Sequence, residues 1–579
     1  MLMAAIAGIA LAVVGHFLDR FWLPTDEGVY AYVAERMLAG DVLYRDVQDL
    51  HAGYVQLLNA AAFGLLGVDL VSLRYPLALA TVFQAVLVFL LLRPRGPLVA
   101  ASGGMAATAL TFIQFLNPTA NWYALFVAVL AIMALAWPAR TPARLVLIGF
   151  LLGALFLVRQ LTGVLFAMGA LTYLLCEAHA AAPGGVHRAL LARSITGVMT
   201  LGLAGYLIAN VELFAALLYG LCPLLILAWA LTRVRPPDRE VARLIGWLLT
   251  GSVLAAVPLL LYLGMHGALA DWLRDSFVTA NRMTGLDFIS TPGYFDLLAL
   301  AVQNVLAPAD IVAAVNGLFW VCLVAAPAVV GVLALRCLLR TAGTSALTLV
   351  HPLVLTVPFL ALVSVHFQIP IYLFFSAAPL LWALLWLAGG WPDAARRAAA
   401  VLVLLLSVVG LLWQAGQPLS RGWAGIASGR AVALDAPGTL PKASLRIEAG
   451  EWEAYRRVLA AIDRYAEPAD RLLAAPVSPE LYFLSGRRPP VKFFSTAIGL
   501  RSDDDVRKAA AALQADPPAV IVRRPRDKYN TPLGDALLAS LLGDYALVET
   551  VADFEVWASS RRRSRVSVAK EAQRAGAER

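Results

Sequence analysis

The chain has 579 residues, 60% of them hydrophobic and 15% charged, with a mean hydropathy of +0.74. That composition excludes a soluble globular protein of this size and leaves a polytopic membrane protein. The formal net charge of +8 is read as arginines that fix orientation in cytoplasmic loops, so no nucleic acid is expected as a partner.

Charge is unevenly placed. Residues 1–415 hold 39 of the 84 Lys, Arg, Asp and Glu residues, and the last 164 hold the other 45. The expected organisation is a membrane domain over 1–415, a small α/β domain over 416–560, and a basic, disordered tail over 561–579. The four cysteines, Cys176, Cys222, Cys322 and Cys337, fall in apolar stretches without C-x-x-C spacing, so neither a disulfide nor a zinc ribbon is indicated.

A spanning helix needs roughly 20 apolar residues. About thirteen spans are expected, over 2–18, 70–92, 98–116, 121–137, 144–158, 161–176, 194–210, 212–231, 243–264, 311–335, 346–365, 368–388 and 397–414. The first reads as an uncleaved signal anchor. Arg93 and Arg95, Arg140 and Arg144, His187 to Arg193, Arg233 to Arg243, Arg336 and Arg340, and Arg396 and Arg397 fall on alternate connections. They define one cytoplasmic face. Segment 19–53, the Asn117 to Asn121 turn, the loop from Met265 to about Asp310, the His366 turn and everything after 415 then face outward.

The first outer loop, 19–53, is the chemically distinctive part. Residues 19 to 51 hold seven carboxylates (Asp19, Asp26, Glu27, Glu35, Asp41, Asp46, Asp49) against three arginines (Arg20, Arg36, Arg45). Val29, Tyr30, Val33 and Met37 predict a short helix from Glu27 to Ala39, stopped at Gly40 and lying at the membrane interface. Gly53 to Leu66 reads as a second juxtamembrane helix. In the last domain, Glu448–Tyr465, Asp503–Gln514 and Pro532–Leu542 read as helices. Arg471–Ala475 and Ala519–Val522 read as strands, and Ala546–Ala558 as a pair of strands.

Asp26 precedes the predicted helix, so it reads either as an N-cap or as a general base taking a proton from an acceptor. Glu27 either complements the helix dipole or orients the acceptor. Asp46, Asp49 and His51 form either a hard-cation site for a divalent metal or a solvated loop. Arg159, an outer-face arginine against the positive-inside pattern, either snorkels or clamps a lipid phosphate. Arg74 either anchors its span or binds phosphate, and Arg282, His366 and Tyr372 are further outer-face polar groups for the same cavity.

The run Asp26-Glu27-Gly28-x-Tyr30, then Gly40-x-x-x-Tyr44-Arg45-Asp46, Gly67 and Arg74-Tyr75-Pro76, resembles the first outer loop of GT-C glycosyltransferases of the protein O-mannosyltransferase type, which include the bacterial lipid A aminoarabinose transferases. The segments from His366 to Pro379 and Leu484-Ser485-Gly486-Arg487-Arg488-Pro489-Pro490 are also similar to bacterial members. The chain departs from many of them at His51-Ala52-Gly53, where they carry a basic residue and prolines. The resemblance implies a GT-C-like helical membrane protein in the bacterial inner membrane, with its catalytic loop and α/β domain facing the periplasm. It implies transfer of a sugar from a polyprenyl-phosphate donor, with inversion, to a lipid, glycan or protein acceptor. In that picture Asp26 activates the acceptor, and Glu27, Tyr30, Asp46, His366 and Tyr372 shape the site. Arg159, Arg74 and Arg282 offset charge on the departing phosphate.

The rival reading is a transporter or flippase of lipid-linked or small solutes. It would place ionisable residues near mid-membrane on broken helices, whereas here they concentrate in an outer loop.

Overall fold

The computed structural model describes residues 1–182, 189–282, 292–340, 350–365 and 367–560, without the side chains of Arg282, Leu419 and Ser420. The expected disordered tail, His366 and the Arg282 side chain therefore lie outside the described residues.

Among the described residues, nine helices are long and apolar enough to cross a membrane: Leu70–Arg95, Pro97–Gln114, Gln160–Ala181, Leu190–Asn210, Leu213–Arg233, Asp238–Met265, Ile311–Arg340, Pro370–Ala388 and Asp393–Gly416. Four shorter apolar helices, Leu2–Phe17, Ala120–Ala136, Pro142–Val158 and Pro352–Ser364, fall on the other four expected spans. The chain is a multi-pass helical membrane protein. Small residues let the helices approach closely. Pro142–Val158 and Asp238–Met265 meet backbone to backbone: a Cβ on Gly149 would stand 2.7 Å from Leu248 Cα, and Ser252 Oγ donates to the Gly149 carbonyl at 2.9 Å.

One expected loop contains a helix. Tyr294–Leu306 lies in the Met265 to Asp310 stretch and packs on Ile311–Arg340, where a Cβ on Gly317 would stand 2.6 Å from the Ala301 carbonyl oxygen. Its 13 residues fall below the length that marks a span, so a span count passes over it.

The C-terminal region carries a four-stranded sheet of β1 (Leu472–Ala475), β2 (Val520–Arg523), β3 (Tyr545–Val551) and β4 (Phe554–Ser559), in the order β1-β2-β4-β3. β1 and β2 are parallel, so the chain needs a crossover between them, and the helix Asp503–Ala515 lies in it. β3 and β4 form an antiparallel hairpin. The period of two along the strands divides the packing. Leu473, Ala475 and Ile521 join Leu513, Leu537 and Leu538 in a core of their own, while Leu472, Val520 and Val522 belong to the large core shared with the helical part.

The first outer loop is clasped between these two parts. Its helix runs from Pro24 to Leu38, three residues earlier than expected, because Pro24 with its fixed φ occupies the first helical position. Asp26 is thus in the first turn and not at the N-cap, which is Leu23. Nor does this helix lie on a lipid interface: Glu27, Gly28, Tyr30, Ala31, Tyr32, Val33 and Ala34 are all buried. The helix Tyr54–Leu66 packs against it, and Pro479–Ser485 of the C-terminal region covers it at Gly28. Lys442 pairs with Glu35 at 2.6 Å and Arg446 with Asp19 at 2.9 Å, tying the loop to the C-terminal region at two more points.

Candidate active site

Asp26 is exposed to solvent yet closely surrounded by protein. That enclosure pushes its carboxyl pKa above the ordinary range, against the opposing charges of Lys528 and then His51. The negative charge of Asp26 in turn acts on Tyr30, Tyr372 and Tyr529. A raised pKa brings a carboxylate closer to matching a hydroxyl proton it must accept.

Arg159 sits at the junction between Pro142–Val158 and Gln160–Ala181. Its extended backbone (φ −151°, ψ 107°) breaks the two helices apart. The guanidinium carbon stands 5.5 Å from the centre of the Tyr372 ring, and Nη1 is buried without a hydrogen-bond partner among the described residues. Asp26 and Arg159 therefore share Tyr372 as a neighbour. The next residue, Gln160, donates to the carbonyls of Leu50 at 3.1 Å and Ser276 at 3.0 Å, which fixes the arginine against the acidic loop.

His51 is held with equal care. Its carbonyl accepts from Tyr44 Oη at 2.6 Å and Ser276 Oγ at 2.8 Å. Tyr44 takes a left-handed backbone (φ 69°) to make that contact. The ring bridges Asp49 and Tyr30: Nδ1 lies 3.0 Å from Asp49 Oδ1 and Nε2 lies 3.3 Å from Tyr30 Oη. Tyr30 donates onward to Thr119 Oγ1 at 3.2 Å, and Gln56 donates to Asp49 Oδ1 at 3.1 Å. Tyr30 has one O–H to share between His51 Nε2 and Thr119, so the ring links Asp49 to the Tyr30–Thr119 pair.

Three expectations change. Arg74 fits the anchoring reading, with all five of its N–H groups donated to protein acceptors. Nη1 donates to the carbonyls of Leu18 and Arg20, both at 2.9 Å. Nη2 donates to Phe21 O at 2.6 Å and Glu27 Oε1 at 2.7 Å, and Nε donates to Glu27 Oε2 at 3.2 Å. Glu27 is correspondingly a structural partner: buried, it holds Arg74 and accepts the Leu23 N–H at 3.0 Å. Asp46 closes its own turn, accepting from Val42 N at 2.8 Å and pairing with Arg45 at 2.9 Å, and these bonds lower its pKa. Asp46 does not gather with Asp49 and His51, and among the described residues no group of three or more His, Cys, Asp or Glu side chains is placed to hold a metal.

The C-terminal region supplies what the sequence reading missed. Lys528 and Tyr529 lie in the connection between β2 and the helix Pro532–Ala539, and both act electrostatically on or with Asp26. Nothing in their sequence neighbourhood separates them from an ordinary solvated turn.

No protein-family model and no curated protein matches the chain. Among solved structures, it is similar to the crystal structure of ArnT from Cupriavidus metallidurans bound to undecaprenyl phosphate, with a TM-score of 0.48 and 15% sequence identity over 96% of this chain and 97% of that one.

Proposed function

We propose that the protein is a membrane glycosyltransferase that moves a sugar from a polyprenyl-phosphate donor to an acceptor on the outer side of the membrane, with Asp26 as general base. The observation that carries the reading is an accessible carboxylate at Asp26 and a guanidinium at Arg159 that both act on Tyr372, the Arg159 Nη1 being buried and without a hydrogen-bond partner among the described residues. The motif resemblance of residues 26–76 gives the chemistry.

In the reaction, the acceptor's hydroxyl or amine proton passes to the Asp26 carboxylate as its heteroatom attacks the anomeric carbon. The bond from that carbon to the phosphate oxygen breaks, and polyprenyl phosphate leaves with one more negative charge. Arg159 offsets that charge, its fork being suited to two phosphate oxygens. The raised pKa of Asp26 suits it to take the proton, and Lys528 and His51 limit the rise.

The test is transfer from a polyprenyl-phosphate sugar in proteoliposomes. Asp26→Asn is expected to abolish transfer while the protein inserts and melts as the wild type does. Turnover like the wild type's in that variant removes Asp26 as the base.

A further inference from the structure

The helix Leu70–Arg95 carries Arg74 at one end, beside the first outer loop, and Arg95 at the other. At ~1.5 Å per residue, about 30 Å separates them. Arg95 thus lies on the face of the membrane domain opposite Asp26. A cavity of about 540 Å³ opens there, lined in part by Arg95, Arg140, Tyr173, Glu177, His351 and Trp386. Small-ligand sites commonly enclose roughly 300–1,000 Å³.

Arg95 is built into this cavity and left unsatisfied. Its guanidinium carbon sits 4.0 Å from the centre of the Trp386 ring. The side chain runs over Gly389, where a Cβ would stand 2.8 Å from Arg95 Nε. Nε is buried with no hydrogen-bond partner, and no carboxylate pairs with Arg95 among the described residues. The neighbouring cations differ. Arg140 and Arg144 both pair with Glu177, at 3.2 Å and 2.9 Å. Arg140 and Arg144 thus share one carboxylate, and Arg95 has none among the described residues.

His351 stacks on Trp386, with ring centres 3.6 Å apart, and its Nδ1 accepts the Leu353 N–H at 3.3 Å. The neutral ring then carries its proton on Nε2, a donor. A stacked cation, an imidazole donor and a phenol make a preorganised anion site at the end of spanning helices, the depth at which lipid phosphates lie. We propose that this cavity binds a phosphate group, with the Arg95 fork as its anchor, on the membrane face opposite the Asp26 site. The group belongs either to a phospholipid headgroup or to a soluble phosphate.

The full chain, purified in detergent, is titrated separately with phosphatidylglycerol in mixed micelles and with inorganic phosphate, following tryptophan fluorescence and lipid retention by native mass spectrometry. Saturable binding is expected, weakened at least tenfold by Arg95→Gln and unchanged by Arg93→Gln, on an exposed arginine outside the cavity. Saturation by phosphatidylglycerol alone assigns a lipid, and saturation by inorganic phosphate assigns a soluble ligand. If Arg95→Gln loses its cooperative melt, Arg95→Lys serves instead: it keeps the charge and loses the fork, and weakening is again expected. Absence of saturation with both probes, or binding by the Arg95 variants equal to the wild type's, overturns the proposal.

Discussion

Gly28 and Glu480 meet with no room for a side chain between them: a Cβ on Gly28 would stand 2.6 Å from Glu480 Cα and 2.7 Å from Glu480 Cβ. This is where the helix bearing Asp26 rests on the C-terminal region, so the position of Asp26 depends on a domain some 450 residues further along the chain. Gly28→Ala should force the two helices apart at a cost of about 1–3 kcal/mol, lowering the melting temperature and the transfer rate together. Gly64→Ala, which would meet only Leu38 Cδ2 at 3.7 Å, is the matched control. Equal melting of the two variants would show that the close approach does not hold the loop.

Glu27 and Arg74 form a fully buried pair, and removing one partner leaves an uncompensated charge without water. Glu27→Ala and Arg74→Ala are each expected to destabilise the protein by about 3–5 kcal/mol, seen as early proteolysis of residues 19–53. Arg74→Lys should not rescue, since one ammonium cannot serve two carboxylate oxygens and three carbonyls. A Glu27→Ala protein that melts normally and has lost only kcat would return Glu27 to a catalytic role.

The sequence displays what depends on periodicity and local chemistry. The thirteen apolar stretches all appear as helices, the Asp503–Ala515 helix carries its three aspartates in the first turn behind the Ser502 cap, and the strands fall on the short runs expected for them. It hides what depends on partners remote in the chain. Arg74 looks like any outer-face arginine until its five donors are traced to residues about 50 positions away. Asp46 looks like a ligand until Arg45 and Val42 claim it. Lys528 is invisible because charge proximity across a docked domain leaves no local pattern. Arg159 stands out in the sequence for a local reason: it lies outside the alternating basic connections.

Glu480 is buried, and burial raises its carboxyl pKa to about 7, although Tyr455 Oη donates to it at 3.1 Å. A carboxyl whose folded pKa exceeds its unfolded value of 4.5 binds more protons folded than unfolded between those values. Its contribution is therefore fully present below pH 4.5 and is lost as pH rises through about 7. The melting temperature should fall across that window. Glu480→Gln should flatten this fall and leave the variant the more stable protein at pH 8. A pH profile of melting that is identical in wild type and variant contradicts the assignment.

Arg159→Ala should raise the apparent KM for the lipid-phosphate donor and lower kcat, with little change in acceptor KM. The lost charge-assisted hydrogen bonds are worth ~1.5–3 kcal/mol, or roughly ten- to hundredfold in kcat/KM. Arg159→Lys should recover part of this, because the charge returns without the fork. Donor kinetics unchanged by Arg159→Ala would leave the arginine as a snorkelling anchor.

Lys528 offers the sharpest test of whether the C-terminal region tunes the site. On the proposed reading Asp26 accepts a proton only when ionised, so transfer should fall as pH drops through its pKa. Enclosure raises that pKa and Lys528 holds the rise back. Lys528→Gln removes the restraint, raises the pKa further, and should move the acid limb of the kcat profile to higher pH. Lys528→Arg should restore the limb. At a pH on the acid limb the glutamine variant should be several-fold slower than wild type, and at a pH well above it nearly equal. A uniform loss at every pH would mark Lys528 as a packing or substrate contact, and a profile superimposable on the wild type's would remove it from the site.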